Sequence, residues 1–201
     1  MFARVNIIFG EQAKVDAGVT HIEGADRGLV EAAAGNRGLT TVVDRSAGVI
    51  VATSYWDEPS HDSEASLTHA RAGAAEAAGG TLVVERYAVV LGEHRSVPPA
   101  GGVVRLAHTQ VEPARTDDGI AFVRSQVVPA VSSLPGFCSA ELLLDHLSGG
   151  GVFVTCWDDE LGAAAADEIV GELYDAASAQ AGMTFPQVET YAVVRDAAAS
   201  A

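Results

Sequence analysis

Basic charge is scarce in this sequence: 12 lysines and arginines stand against 27 acidic residues, a formal net charge of −15 over 201 residues. Lys14 is the single lysine. Nucleic acid and anionic membrane surfaces both reward clustered cations, so neither is expected as a partner. Long apolar runs are also missing. Hydrophobic residues make up 48% of the chain, yet no window approaches the roughly 18 apolar residues of a membrane span. The opening Met1-Phe2-Ala3-Arg4-Val5-Asn6 lacks the basic, apolar and small-residue segments of a secretion signal, which points to a cytoplasmic protein. Cysteine is limited to Cys138 and Cys156, too few for a disulfide scaffold or a zinc site. If 137–145 and 151–157 are antiparallel strands, the two thiols could meet across the ladder. Such a bridge is geometrically demanding and a cytoplasmic setting keeps thiols reduced, so both are read as small buried hydrophobes.

What the chain does have is internal repetition. Sliding it on itself by 101 positions superposes Arg4 on Arg105, Asp16 on Asp117, Gly18 on Gly119 and Gly35 on Gly136. The same frame carries Asp44 onto Asp145, Gly48 onto Gly149 and Trp56-Asp57 onto Trp157-Asp158. After a small length difference, Tyr87-Ala88-Val89-Val90 matches Tyr191-Ala192-Val193-Val194. Both tryptophans of the chain fall at equivalent places, and a constant frame of this length is the signature of a repeat. Two domains are expected, 1–91 and 103–195, joined by a linker over 92–102 that contains Pro98-Pro99.

Each half has the same order of elements. Alternation predicts strands over 2–9, 39–45, 48–55 and 81–91; helical spacing predicts helices over 13–34 and 64–78, the second ended by Gly79-Gly80. In the second half the strands are 103–111, 137–145, 151–157 and 184–194, and the helices 117–133 and 161–181, with a frayed tail from 195. The polar stretch 57–63, with His61-Asp62, reads as a solvated loop. β-α-β-β-α-β is the ferredoxin-like unit, an antiparallel sheet with both helices on one face. Its bare face needs a cover. Strands 49–55 and 151–157 are apolar or small on both alternations, which suits sheets that cover one another. The expected fold class is α+β: two tandem ferredoxin-like units forming an intramolecular dimeric α+β barrel.

Pro135-Gly136-Phe137, Glu141-Leu142-Leu143-Leu144-Asp145, a short glycine turn, Val152-Phe153-Val154 and Trp157-Asp158 resemble the middle of an antibiotic-biosynthesis-monooxygenase domain. The first half is similar through Gly35, Asp44, Trp56-Asp57, Glu64-Ala65 and His69, with about four extra residues between Trp56 and its second helix. The resemblance covers nearly the whole chain twice. It implies a monooxygenase free of metal and flavin that oxidises an aromatic or polycyclic small molecule with O2. Such a reaction needs an apolar pocket with a few polar groups to bind and deprotonate a phenol. Asn6 and His69 are the candidate catalytic residues and Tyr55 and Trp56 the candidate substrate-binding residues.

Each candidate also has a plain structural reading. Trp56 recurs as Trp157 and suits a packing residue, Asn6 suits a capping polar group, and His69 suits a solvent-facing imidazole. The second half lacks the set: Ala107 stands for Asn6, no histidine lies in 161–181, and His108, Tyr174, Cys138 and His146 are what it offers. The first half is therefore expected to keep the pocket and the second to serve mainly as scaffold. Haem degradation in relatives uses a helix tryptophan nine positions after the strand tryptophan, where this chain has Ala65. No metal ligand set is visible, and no cofactor is expected. A non-catalytic barrel that binds a small ligand is the alternative function, and either a monomer with an internal pseudo-dimer or a homodimer satisfies the sheets.

Overall fold

The computed structural model describes residues 1–59 and 65–196, the side chains at 25, 65, 66 and 168 excepted. His61-Asp62, the glutamate of Glu64-Ala65 and the tail beyond Asp196 lie outside the described residues. The order β-α-β-β-α-β occurs twice. The first run comprises β1 (Phe2–Phe9), α1 (Val15–His21), α2 (Arg27–Ala32), β2 (Asn36–Asp44), β3 (Val49–Trp56), α3 (Ala65–Ala77) and β4 (Thr81–His94). The second comprises β5 (Val103–Gln110), α4 (Thr116–Phe122), α5 (Val128–Ser132), β6 (Phe137–Leu144), β7 (Gly150–Trp157), α6 (Glu160–Ala181) and β8 (Thr184–Arg195). The strands are hydrogen-bonded in the order β1-β3-β2-β8-β5-β7-β6-β4, a closed antiparallel barrel.

The residues that recur in the sequence frame are the ones that build the corners. Asp44 Oδ1 accepts from the Ser46 and Ala47 amides and the Ser46 hydroxyl, and Asp145 accepts from the Leu147 amide and the Ser148 hydroxyl. These bonds to the charged form hold both carboxyls below their ordinary value. Gly48 and Gly149 then take φ of +71°, where a side chain would be strained. Space excludes one as well, since a Cβ on Gly149 would lie 1.9 Å from the Val111 carbonyl oxygen and one on Gly48 2.6 Å from that of Gly10.

The compact units are Met1–Arg86 with the stretch from Ala192, and Tyr87–Tyr191. β4 runs unbroken past Arg86, and its residues from Ala88 pair with β6 (Ala88↔Leu144 through His94↔Ser139). The end of β8 likewise pairs with β2 (Val43↔Ala192). One expectation needs correction: the helix expected over 13–34 is not continuous. A π turn at Ile22–Asp26, with Gly24 at a non-helical ψ of −125°, separates α1 from α2, and a second at Val123–Val127 separates α4 from α5. Both π turns fall at the same place in the repeat frame.

Each unit has its own core between sheet and helices. In the first it is built on Ile8, Val15, Val19, Leu39, Val43 and Ile50, closed by Ala74 of α3 and by Ala78 just beyond its end. In the second it is heavier: Phe122, Val127, Leu142, Leu144, Phe153, Trp157 and Met183. The alanine-rich faces of α3 and α6 leave room above the sheet. Cys138 and Cys156 are buried cysteines, and His146 is exposed on the hairpin. No helix among the described residues is long and apolar enough to cross a membrane.

Candidate active site

Strand alternation decides which residues can meet. Asn6 lies opposite Ala52, so Asn6, Ala52, Ser54 and Trp56 share the helix-facing side of the sheet, with Arg4 and Ile8. Tyr55 is paired with Ala3 and points through the other face. Asn6 and Tyr55 therefore do not line one cavity, which the period of two already implied.

Above that face is a cavity of about 40 Å³, floored by Arg4, Asn6, Ile8, Ala52 and Ser54 and walled by Ile22, Asp26 and Val30 on one side and Leu67, Ala70, Arg71 and Ala74 on the other. Asn6 is 6% exposed, and its amide donates to the Ala52 carbonyl at 3.0 Å. Its Oδ1 is buried and has no hydrogen-bond partner. An unsatisfied buried acceptor costs about 1–3 kcal/mol, so one kept in a cavity wall marks a place where a ligand or water donor belongs.

The π turn supplies the other polar wall. It brings Asp26 over the cavity, with Oδ2 2.9 Å from Nε2 of His21, whose ring is partly exposed. Burial raises the Asp26 carboxyl above its ordinary value, and the charges of His21 and His69 pull it back down. A raised folded pKa stabilises the protein below the unfolded carboxylate range and loses that stability as pH rises through the folded value. Asp26→Asn is therefore expected to melt higher than the parent at pH 7–8 and equally near pH 3, a difference that thermal melts across this range read directly.

The remaining candidates sit differently. His69 is on α3 but exposed and outside the cavity lining; its neighbours Ala70 and Arg71 face in. It reaches the site through its field on Asp26. Trp56 is 1% exposed behind the floor, where its Nε1 donates to the Ser54 hydroxyl at 2.9 Å and its ring lies 5.3 Å under the Arg4 guanidinium. Trp157 repeats the first of these bonds, to Thr155. Arg4, Asp26 and Arg71 were not singled out in the sequence. Arg4 stood in the repeat frame, but Asp26 and Arg71 face inward only because of the π turn and the pitch of α3.

The second half has a cavity too, of about 200 Å³ at the corresponding place, lined by Arg105, Thr155, Trp157, Ala166, Asp167, Val170 and Tyr174 among others. The expectation that only the first half keeps a pocket is corrected by this finding. Small residues on α6 open the second cavity as alanines on α3 open the first. No cluster of three or more His, Cys, Asp or Glu side chains able to hold a metal ion is present among the described residues.

No family model matches the chain. In fold it is similar to a candidate monooxygenase from Lactobacillus acidophilus NCFM, with a TM-score of 0.72 over 98% of this chain and 95% of that one at 10% identity. It is also similar to an anthrone oxidase-like protein (TM-score 0.67, 15% identity, 98% and 93% covered) and to LmHde, a heme-degrading enzyme from Listeria monocytogenes (TM-score 0.52, 14% identity, 94% and 98% covered). At such identities these likenesses show the fold alone. In sequence it is similar to the uncharacterized protein Rv2558 of Mycobacterium tuberculosis, 32% identical over 149 residues that span 73% of this chain and 63% of that one. It is 34% identical to the uncharacterized protein Rv2557 of the same organism over 162 residues, 79% of this chain and 71% of the relative, so the chain belongs to the protein family of Rv2557.

Proposed function

We propose that the chain is a monooxygenase that oxidises a small phenolic or polycyclic aromatic molecule with O2, without metal or flavin, in the first-unit cavity. One observation carries this reading: the orphaned Oδ1 of Asn6 in the cavity floor, with the Asp26–His21 pair at its wall. In it Asn6 accepts a hydrogen bond from a ring hydroxyl and so orients the substrate, while Asp26 takes a proton from the carbon to be oxidised and passes it through His21 toward solvent. His69 is a positioning residue that acts through its charge on Asp26. For an anthrone the balance is complete. The ring methylene loses two hydrogens, one atom of O2 becomes the ketone oxygen, and the other leaves as water with those two hydrogens. The likeness in fold to an anthrone oxidase-like protein supports the substrate class. Equal placement of the π turns and hairpin corners supports the reading of the halves as tandem copies.

The volume of about 40 Å³ favours a second reading, a barrel that binds a smaller ligand without chemistry. A tricyclic ring enters only if α2 and α3 move apart. The two readings separate in an oxygen electrode with an anthrone as substrate and mass detection of the quinone. The enzyme reading expects uptake of O2 matched by quinone, and a loss of roughly tenfold to a hundredfold in kcat/KM in Asn6→Ala, the worth of one buried hydrogen bond to a reacting molecule. Turnover that is absent, or unchanged in Asn6→Ala and Asp26→Asn, removes this site from any mechanism.

A further inference from the structure

The second-unit cavity has a chemistry of its own. In the repeat frame Asn6 becomes Ala107 and Asp26 becomes Val127, so both polar groups of the proposed reaction are gone. The arginine remains and is differently employed. Arg4 is 2% exposed, with its Nη2 3.5 Å from the Ser54 hydroxyl. Arg105 gives one Nη2 bond, 3.0 Å, to Asp167, a carboxylate whose side chain is 59% exposed. Its Nε is buried and has no partner. A guanidinium presents its donors as a fork matched to a carboxylate, and half of this fork is unused while the other half is held by a residue free to swing into water.

Around that fork are surfaces for a flat ring. Trp157 is fully buried in the cavity wall. Tyr174, across the cavity, is fixed by stacking on Phe185 at 3.7 Å and 5° between planes. Burial keeps its phenol protonated far above neutral pH, so it presents a neutral donor and an apolar edge. Thr155 accepts from Trp157 at 3.1 Å, which leaves its own hydroxyl proton available. About 200 Å³ accommodates one small ring system.

We infer that the second cavity is a binding site for a small planar aromatic carboxylate, its carboxylate on Arg105 in place of Asp167 and its ring between Trp157 and Tyr174. The protein's charge of −15 repels anions in general, which makes a partly buried guanidinium fork with an unpartnered Nε the specific feature that admits one. The site stands whether or not the first cavity is catalytic.

Thermal melts and titration calorimetry on the whole chain test it, with benzoate as probe and benzamide as its uncharged isostere. Benzoate is expected to raise the melting temperature with concentration, because a ligand bound only by the native state must stabilise it. Benzamide is expected to bind at least tenfold more weakly. Arg105→Gln should weaken benzoate at least tenfold, whereas Asn6→Ala should leave it unchanged. Gly171→Phe provides a second variant should Arg105→Gln not fold. Gly171 is an exposed lining residue whose Cβ would meet nothing within 4 Å, so a bulky side chain is accommodated at the cavity wall without displacing the core. Benzoate binding should be lost in it. No binding to the parent, equal binding of benzamide, or retention in both Arg105→Gln and Gly171→Phe overturns the site. Loss in Asn6→Ala alone assigns benzoate to the first cavity and overturns it equally.

Discussion

Arg27→Met is expected to destabilise the first unit by about 1–3 kcal/mol, the cost of leaving the Leu39 carbonyl and the Thr41 hydroxyl without their donor and two partly exposed glutamates without their counter-ion. Arg27 is 2% exposed immediately after the π turn. Its Nε and Nη2 grip both oxygens of Glu23 at 2.8 Å, and its Nη1 reaches Glu31 at 2.9 Å and the Leu39 carbonyl at 2.7 Å. Nη2 also donates to the Thr41 hydroxyl at 3.2 Å. Methionine fills most of the volume and satisfies none of these. The corresponding residue in the second unit is Val128, buried without difficulty beneath a partner set that has no glutamates. The charge is thus required by its neighbours rather than by the fold. Adding Glu23→Gln and Glu31→Gln to Arg27→Met should therefore recover part of the loss. Urea midpoints at constant slope measure both steps. Because Asp26 adjoins Arg27, a variant that stays folded should also lose Asp26 from the cavity wall.

Trp56→Ala is expected to cost about 3–5 kcal/mol, from transfer and cavity terms combined. Trp56→Phe should cost only about 1–2 kcal/mol, since the ring volume is largely kept while the bond to Ser54 and the Arg4 contact are lost or weakened. The pair of variants separates support from substrate binding. If Trp56 only holds Ser54 and Arg4 in the floor, Trp56→Phe keeps KM for an anthrone close to the parent value while its midpoint falls. A large rise in KM with an unshifted midpoint would instead make the indole part of the binding surface.

Much of the architecture was legible in the residues. The alternating strands, the Asp-turn-Gly hairpins at 44–48 and 145–149 and the helix stop at Gly79-Gly80 depend on a few consecutive side chains and their own backbone, so local chemistry suffices to read them. The candidate site was legible in part. Asn6 was found because strand position and residue type coincide there. Tyr55 follows the opposite alternation, so the sheet itself separates it from Asn6. His69 was placed on the correct helix, but at a position whose neighbours face inward and which itself faces water. Asp26 is hidden because the π turn, bent at Gly24, rotates everything after it, and a lone glycine in a helical pattern does not fix the sense of that bend.

The repetition read at the outset is what the sequence by itself determined: two βαββαβ runs, with tryptophans and hairpin corners in register, since each element follows from near neighbours. Tertiary structure alone decided where the last strand of each run finds its ladder, how the π turns aim Asp26, and which polar atoms are left over. Asn6 Oδ1 and Arg105 Nε became orphans only when distant strands and helices had closed over them. An unmet hydrogen bond is a property of a group's surroundings, and residues 46 or 62 positions away along the chain supply those surroundings here.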